Sequence, residues 1–311
     1  MELRRLRLLH ELSRRGTVAA VAEALSYSPS SVSVQLAELE REAGAPLLRR
    51  AGRNVELTAA GWRLAEHAAE ALAADESVRT ELAHLGGGPR GRLRLTLVQS
   101  MALALLPGVL ARLGTTAPGL EVDVIQRETA PALDELRSRA VDVVVGIEYE
   151  AVPVGRHRDV DRRDLLREDV LLALHPAHPG LPVRGPARLA ACAGSPWASG
   201  HPGTGLDAVI RNVCNRLGGF APDIRHRTDD GLILAALVSS GRAVTLLPAL
   251  LATGVPQLTA RRLREERVQR TVFTAARASA AGAPAVEAVR EALVHTARPI
   301  AARRRVLELC P

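Results

Sequence analysis

The chain contains no lysine: all 41 of its basic residues are arginine, set against 34 acidic residues for a net charge of +7. An all-arginine cation set reads as the mark of a GC-rich coding sequence rather than of one chemistry. The positive balance is compatible with a polyanionic partner. Aromatic residues make up only 2% of the 311 positions and hydrophobic residues 47%, so the cores must be built from Leu, Val and Ala. Three cysteines, Cys192, Cys214 and Cys310, are too few for a disulfide framework, which points to a reducing compartment. The most apolar stretch, Leu232 to Ala252, is broken by Gly241-Arg242 and Pro248 and suits a buried helix and strand rather than a membrane span. The opening Met-Glu-Leu-Arg-Arg-Leu-Arg lacks the apolar run of a secretion signal. These absences lead us to expect a cytoplasmic protein of two or three compact units, with no membrane partner.

What is present is densest near the start. Leu3, Leu6, Leu9 and Leu12 recur at near-helical spacing, and Gly16 ends that helix. Thr17 to Leu25 forms a second. Ser28-Pro29 is a strong start signal for a third, because Ser can cap free N–H groups and Pro suits the first helical position. Val32, Leu36, Leu39 and Ala43 fall on one face of it, and Gly44 and Pro46 stop it. A short helix, a tight turn and a second helix with a Ser-rich outer face make a helix-turn-helix, a unit that lays one helix in the DNA major groove. Residues 47–57 read as a hairpin, a wing. Thr58 then caps a long helix running to about Leu85, in which Leu64, Ala68, Ala71, Val78 and Leu82 lie near heptad spacing, with Asp75 interrupting the seam. Such a seam buries against a second helix, most simply a dimer partner's, alternatively one of the same chain. Gly86-Gly87-Gly88-Pro89 marks a boundary.

Beyond the glycines the period changes. Arg92 to Leu97 alternates as a strand does, and strands at 120–125 and 141–147 follow, separated by helices near 101–113 and 130–139. A second run begins with a strand at 169–174. It continues with helices near 205–217 and 229–239, then a strand at 243–247. A strand at 271–275 and a helix near 284–296 close the chain. Strand–helix alternation predicts a parallel α/β sheet.

The segment from Gly16 to Gly61 carries many fixed spacings: Ala22-Glu23-x-Leu25, Ser28, Val32-Ser33-x-Gln35-Leu36, Leu39-Glu40, Gly44-x-Pro46-Leu47, Arg50, Arg53 and Leu57-Thr58-x-x-Gly61. In these the chain resembles the LysR-type transcriptional regulators. Leu237-Val238-x-x-Gly241-Arg242-Ala243-Val244-x-Leu246-Leu247-Pro248 extends the resemblance, less sharply, into the family's effector domain. The resemblance implies an α/β chain with an N-terminal winged helix-turn-helix and a C-terminal two-lobe periplasmic-binding-protein-like effector domain. It implies a DNA-binding domain over 1–60, a linker and dimerisation helix over 61–88, and an effector domain over 89–311. Lobe I would comprise 89–150 and 266–299, and lobe II 158–262, joined by crossings near 148–160 and 262–270. The implied partners are double-stranded DNA at an interrupted palindrome near a promoter, a small-molecule effector, a second copy as dimer or dimer of dimers, and RNA polymerase. The chain departs from the family at Pro29 and Val34, where Gln and Arg are usual. It also carries Val21 and Leu48 in place of a usual Ala and Phe. The changes at 29 and 34 bear on which DNA sequence is read.

Opposite the apolar face of the third helix stand Ser30, Ser31, Ser33, Val34 and Gln35, with Ser28 at its start. Serines suit phosphates or base edges, Gln35 suits adenine, and Val34 suits a thymine methyl. Arg49, Arg50 and Arg53 line the wing and are placed to hold phosphates or enter the minor groove. In the effector domain, ligands of α/β folds sit where strands end and helices begin. Ser100, Thr129, Ser199, Thr204 and Thr228 fall at such junctions, as pocket residues or as helix caps and turns; for Asp229 and Asp230 capping is the expected role.

No catalytic constellation is readable. There is no Gly-x-Ser-x-Gly elbow and no phosphate-binding loop, and Gly203-x-Gly205 is too short for a dinucleotide fingerprint. His175-Pro-Ala-His178 has no further ligand at metal-site spacing and reads as a solvated loop. Arg303-Arg304-Arg305 reads as a solvated helix end. The chain is expected to be no enzyme and to carry no cofactor or metal. Two alternatives remain: a small-molecule-binding protein without DNA readout, and a redox-sensing regulator using Cys192 and Cys214.

Overall fold

Gly16 adopts a left-handed φ of 75° and ends α1 (Leu3–Arg15) in the computed structural model, which describes residues 1–51, 54–252, 258–303 and 306–310. The hydroxyl of Thr17 accepts the Ala20 N–H to start α2 (Val18–Leu25), and that of Ser28 accepts the Ser31 N–H to start α3 (Pro29–Ala43). Leu6, Leu8, Leu9 and Leu12 share one core with Val32, Leu36 and Leu39. The strands β1 (Leu48–Ala51) and β2 (Asn54–Leu57) form the wing, antiparallel from Leu48↔Leu57 to Ala51↔Asn54. Glu40 anchors its base by accepting the Leu47 and Leu48 N–H groups at 2.8 and 3.0 Å. Thr58 caps α4 (Ala59–Leu85), and Gly61 lets the wing approach: a Cβ there would lie 2.1 Å from the Leu47 carbonyl oxygen.

The seam expected along α4 divides in two. Ala68 is fully buried in the N-terminal core, with Leu64 and Ala71 packed against it, because the leucine row of α1 needs a cover and α4 supplies it. These three residues pack against their own chain. Val78 and Leu82, 53% and 60% exposed, keep an uncovered face.

The first lobe begins with β3 (Arg90–Leu97), α5 (Gln99–Thr116), β4 (Gly119–Gln126), α6 (Thr129–Arg137) and β5 (Val143–Tyr149), and β3 pairs in parallel with both β4 and β5. Then β6 (Val160–Leu174) runs for 15 residues through both lobes. The second lobe adds β7 (Pro196–Ser199), α7 (Gly205–Val213), β8 (Asp223–Arg227), α8 (Gly231–Ser239), β9 (Thr245–Pro248), α9 (Ala249–Ala252) and β10 (Thr259–Arg261). Finally β11 (Gln269–Arg277), α10 (Pro284–Ala302) and β12 (Leu307–Leu309) return to the first lobe.

The sheet order is β10-β6-β11-β5-β3-β4, with β9 and β12 also on β6. The sheet is not all parallel: β11 lies antiparallel to both β5 and β6, since it enters by a crossing from the second lobe and not through a covering helix. Nor does the second lobe start at residue 158. Residues 160–169 of β6 pair with β11, and 170–174 pair with β9 and β10, so the crossing expected near 148–160 occurs inside a strand, near Glu168. Each lobe has its own core, around Leu95, Met101, Leu105 and Leu293 in the first and Leu172, Trp197, Ile210 and Leu246 in the second. The scarce aromatics are well used: Trp197 is fully buried, its indole N–H donating to the Cys192 carbonyl at 3.2 Å, and Phe273 is buried under the Arg162 guanidinium.

Polar contacts join the N-terminal unit to the first lobe. Arg277 donates to Glu76 of α4 at 2.7 Å, to Asp142 at 3.1 Å and to the Leu136 and Val141 carbonyls. Ser279 also bonds Glu76, and Arg7 donates to the Ser138 carbonyl.

Candidate functional site

The exposed side of α3 presents Ser30, Ser33 and Val34, the last 58% exposed, with Ser31 and Gln35 half-buried beside them. Several of these groups are already engaged. Ser28 caps the helix and shares a 3.0 Å contact with the Ser30 hydroxyl, and the Ser33 hydroxyl donates back to the Pro29 carbonyl. The Gln35 Oε1 accepts from Arg5 at 3.0 Å, which fixes its side chain and leaves its amide N–H groups free. Arg5, unremarked in the sequence, is thus a positioning residue of this face. On the wing Arg49 pairs with Glu56 across the hairpin at 2.7 Å, whereas Arg50 is exposed and makes no ion pair among the described residues. Arg53 lies outside the described residues. Ser30, Ser31, Ser33 and Gln35 with Arg50 give a polar face on α3 and an exposed cation on the wing.

The second site is a cavity of about 400 Å³ between the lobes, within the range of small-molecule pockets. Ser100 at the start of α5 and Thr129 at the start of α6 line it from the first lobe, and Thr204 before α7 lines it from the second. Ser199 and Thr228 do not line it. Ser199 is fully buried and donates to Asp207 at 3.2 Å, because the strand β7 turns it inward; the Thr228 hydroxyl accepts the Asp230 N–H in a local turn. Asp230 caps α8 through the Leu232 and Ile233 N–H groups, as expected, and Asp229 instead binds His201 at its backbone N–H and its ring nitrogen.

Beneath the cavity lies a charged cluster that the sequence did not disclose. Arg270, 2% exposed, donates twice to the buried Glu168 at 2.7 and 2.9 Å and once to the Ser100 hydroxyl at 2.8 Å. Burial opposes its charge, but Glu168 and Tyr149 outweigh burial and hold the guanidinium above its usual value. Burial likewise pushes the Tyr149 hydroxyl up. Ser100 therefore has its acceptor role filled from below, and Thr129 has its own filled by the Ile147 N–H at 2.9 Å. Both keep an O–H to donate into the cavity. Glu128 also lines it; burial, then the charge of Asp229, raises its carboxyl.

Residues 3–62 match the model of the bacterial regulatory helix-turn-helix proteins of the lysR family, and residues 86–298 match the LysR substrate binding domain. The chain is a LysR-type transcriptional regulator. It binds DNA, takes a small-molecule effector in its C-terminal domain and is not an enzyme. The regulator is 28% identical to the transcriptional dual regulator GltC of Bacillus subtilis, over 88% of this chain and 89% of that protein. It is 30% identical to a probable hydrogen peroxide-inducible genes activator of Mycobacterium avium, over 78% and 76%. In fold it is similar to full-length OxyR from Pseudomonas aeruginosa (TM-score 0.65, 21% identity, 94% of each chain). It is also similar to CbnR in complex with its target DNA (TM-score 0.54, 23% identity, 95% of this chain and all of that one). Among the regulator's described residues no helix is long and apolar enough to cross a membrane.

Burial pushes the thiols of Cys192 and Cys214, both wholly inside the second-lobe core, up to about 12. His178 of the His175-Pro-Ala-His178 segment is not free in solvent as expected: its ring bonds the Ser195 hydroxyl and accepts the Gly180 N–H, which orders the turn.

Proposed function

We propose that the regulator acts in the cytoplasm, reading an interrupted palindrome with α3 and the wing under control of an effector in the interlobe cavity. Ser30, Ser31, Ser33, Val34 and Gln35 would meet base edges and nearby phosphates, with Arg49, Arg50 and Arg53 on the backbone. Val78 and Leu82 would form the covered part of a dimer seam along the far half of α4. The observation that carries the effector reading is the pair of hydroxyls at Ser100 and Thr129, each accepting a hydrogen bond from within the protein at the wall of a cavity of ligand size. An acceptor group of the effector, such as a carboxylate, would take both donors. An effector favouring one lobe arrangement shifts the equilibrium toward it. The contacts of Arg277 with Glu76 and Asp142 would carry that shift to α4.

A gel shift with the DNA upstream of the regulator's own gene, at two salt concentrations, tests the reading head. A site-selective, salt-sensitive shift lost in the Arg50→Ala, Arg53→Ala double variant supports it, and an unchanged shift rejects it. For the cavity, metabolites that raise the melting temperature should lose affinity in Ser100→Ala and in Thr129→Ala. The thiol alternative has burial against it, since neither Cys192 nor Cys214 is a thiolate at neutral pH.

A further inference from the structure

The effector cavity has an unbalanced charge. Arg270 is matched by Glu168 beneath it, which leaves Glu128 from the first lobe and Asp229 from the second as the carboxylates lining the cavity. Glu128 makes no hydrogen bond or ion pair through its side chain among the described residues, and it does not cap α6, at whose start it stands. Asp229 meets the His201 ring nitrogen at 2.8 Å. Closing the lobes on a wholly apolar or wholly anionic guest would bury these like charges together. A guest with a cationic group between them would bind both lobes at once.

The other polar features ask for the opposite charge. Ser100 and Thr129 offer O–H donors, as argued above. The helices α5, α6 and α7 all begin at the cavity without a side-chain cap, so their first N–H groups are open to a ligand. By contrast α8 is capped by Asp230. Apolar residues, among them Val98, Ile147, Leu206 and Leu247, line the rest of the cavity.

We infer that the effector is a small zwitterion of amino-acid type, its carboxylate on Ser100, Thr129 and the uncapped helix starts, and its ammonium group between Glu128 and Asp229. The inference rests on the cavity being the effector site, and adds the charge of the ligand and the two residues that select it.

The test uses the full-length regulator and three probes of matched length, δ-aminovalerate, valerate and n-pentylamine, alongside the proteinogenic amino acids, followed by thermal shift and calorimetry. A zwitterion is expected to bind at least about tenfold more tightly than the matched carboxylate or amine. Glu128→Gln and Asp229→Asn should each erase that preference while leaving valerate binding unchanged or tighter. Valerate binding as tightly as δ-aminovalerate, no shift from any zwitterion, or a preference that survives both substitutions overturns the inference. Ala130→Trp fills the cavity from an exposed first-turn position. If a zwitterion still binds that variant, the cavity reading itself fails, a separate outcome from the loss of charge selection.

Discussion

Gln99 of the first lobe holds Asp230 of the second: its amide N–H donates to the carboxylate at 3.0 Å while its carbonyl accepts the neighbouring Gly231 N–H at 2.7 Å. One side chain thus spans the mouth of the cavity with two complementary bonds, and Asp230 gains a further partner beyond the helix it caps. The Gln99 bond outweighs burial and holds the Asp230 carboxyl below its usual range.

Gln99→Ala should loosen this latch. We expect a loss of about 1–2 kcal/mol in stability, since two hydrogen bonds go and one is to a charged group. Gln99→Glu should cost more, because it brings a second carboxylate to Asp230. Urea denaturation of both variants checks the order, and small-angle scattering checks whether the lobes separate. A Gln99→Glu variant as stable as wild type at neutral pH would contradict the latch.

The two wing arginines should not be equal in DNA binding. Arg50 makes no ion pair among the described residues, so Arg50→Ala should weaken binding to all sequences and reduce the slope of log K against log salt by about 0.9. Arg49 must leave Glu56 to take a phosphate, so Arg49→Ala should cost less, and Glu56→Gln should tighten binding. Fluorescence anisotropy over a salt series measures all three; a larger slope change for Arg49→Ala than for Arg50→Ala reverses the assignment.

Glu168→Gln would leave Arg270 buried without its counter-ion, which should cost about 3–5 kcal/mol in denaturant titration. Replacing both by leucine should recover much of that loss, because the unpaired charge is then gone as well. The double variant should still lose effector affinity, as Ser100 would no longer be held from below. If the single and double variants are equally unstable, the cluster matters through its shape and not its charge.

Asp142 gives an acid dependence. Burial alone would raise its carboxyl, but Arg94, with one backbone and two side-chain bonds, and Arg277 pull it below the usual range. A depressed carboxyl stabilises the folded state fully above its unfolded value, about pH 4, and loses that contribution as pH falls through the folded value. Asp142→Asn should therefore be less stable than wild type by about 2 kcal/mol at pH 7, with the gap closing below about pH 4. A gap that stays constant down to pH 3 would rule out a charge contribution.

The N-terminal helices were legible because their ends are local events: Gly16, Ser28-Pro29 and Thr58 each act within a few residues, and the structure places caps at all three. The cavity was only half legible. Ser100, Thr129 and Thr204 stand at helix starts and could be named from position. Ser199 instead ends β7, which turns its hydroxyl into the core. Glu168 and Arg270 could not be paired in advance, being about a hundred positions apart, with neither marked by a local pattern. The start of β6 was hidden differently. The sequence marks a strand only from 169, yet it begins at Val160, because Arg162 finds Glu148 and the Phe273 ring and Arg163 finds Glu287. In α4 the seam was visible, but the pattern does not record that α1 covers half of it.

The passage of β6 through both lobes limits what an effector can do. Lobes tethered by loose chain swing apart at small cost, whereas these share the strand β6, whose pairing passes from β11 to β9 near Glu168 and Asp169 and must flex there. Both carboxylates there are clamped, Glu168 by Arg270 and Asp169 by Arg262 and Arg267. These ion pairs oppose bending of the strand where it crosses. Ligand occupancy would then reach the DNA as a small elastic twist whose restoring force is built into the sheet.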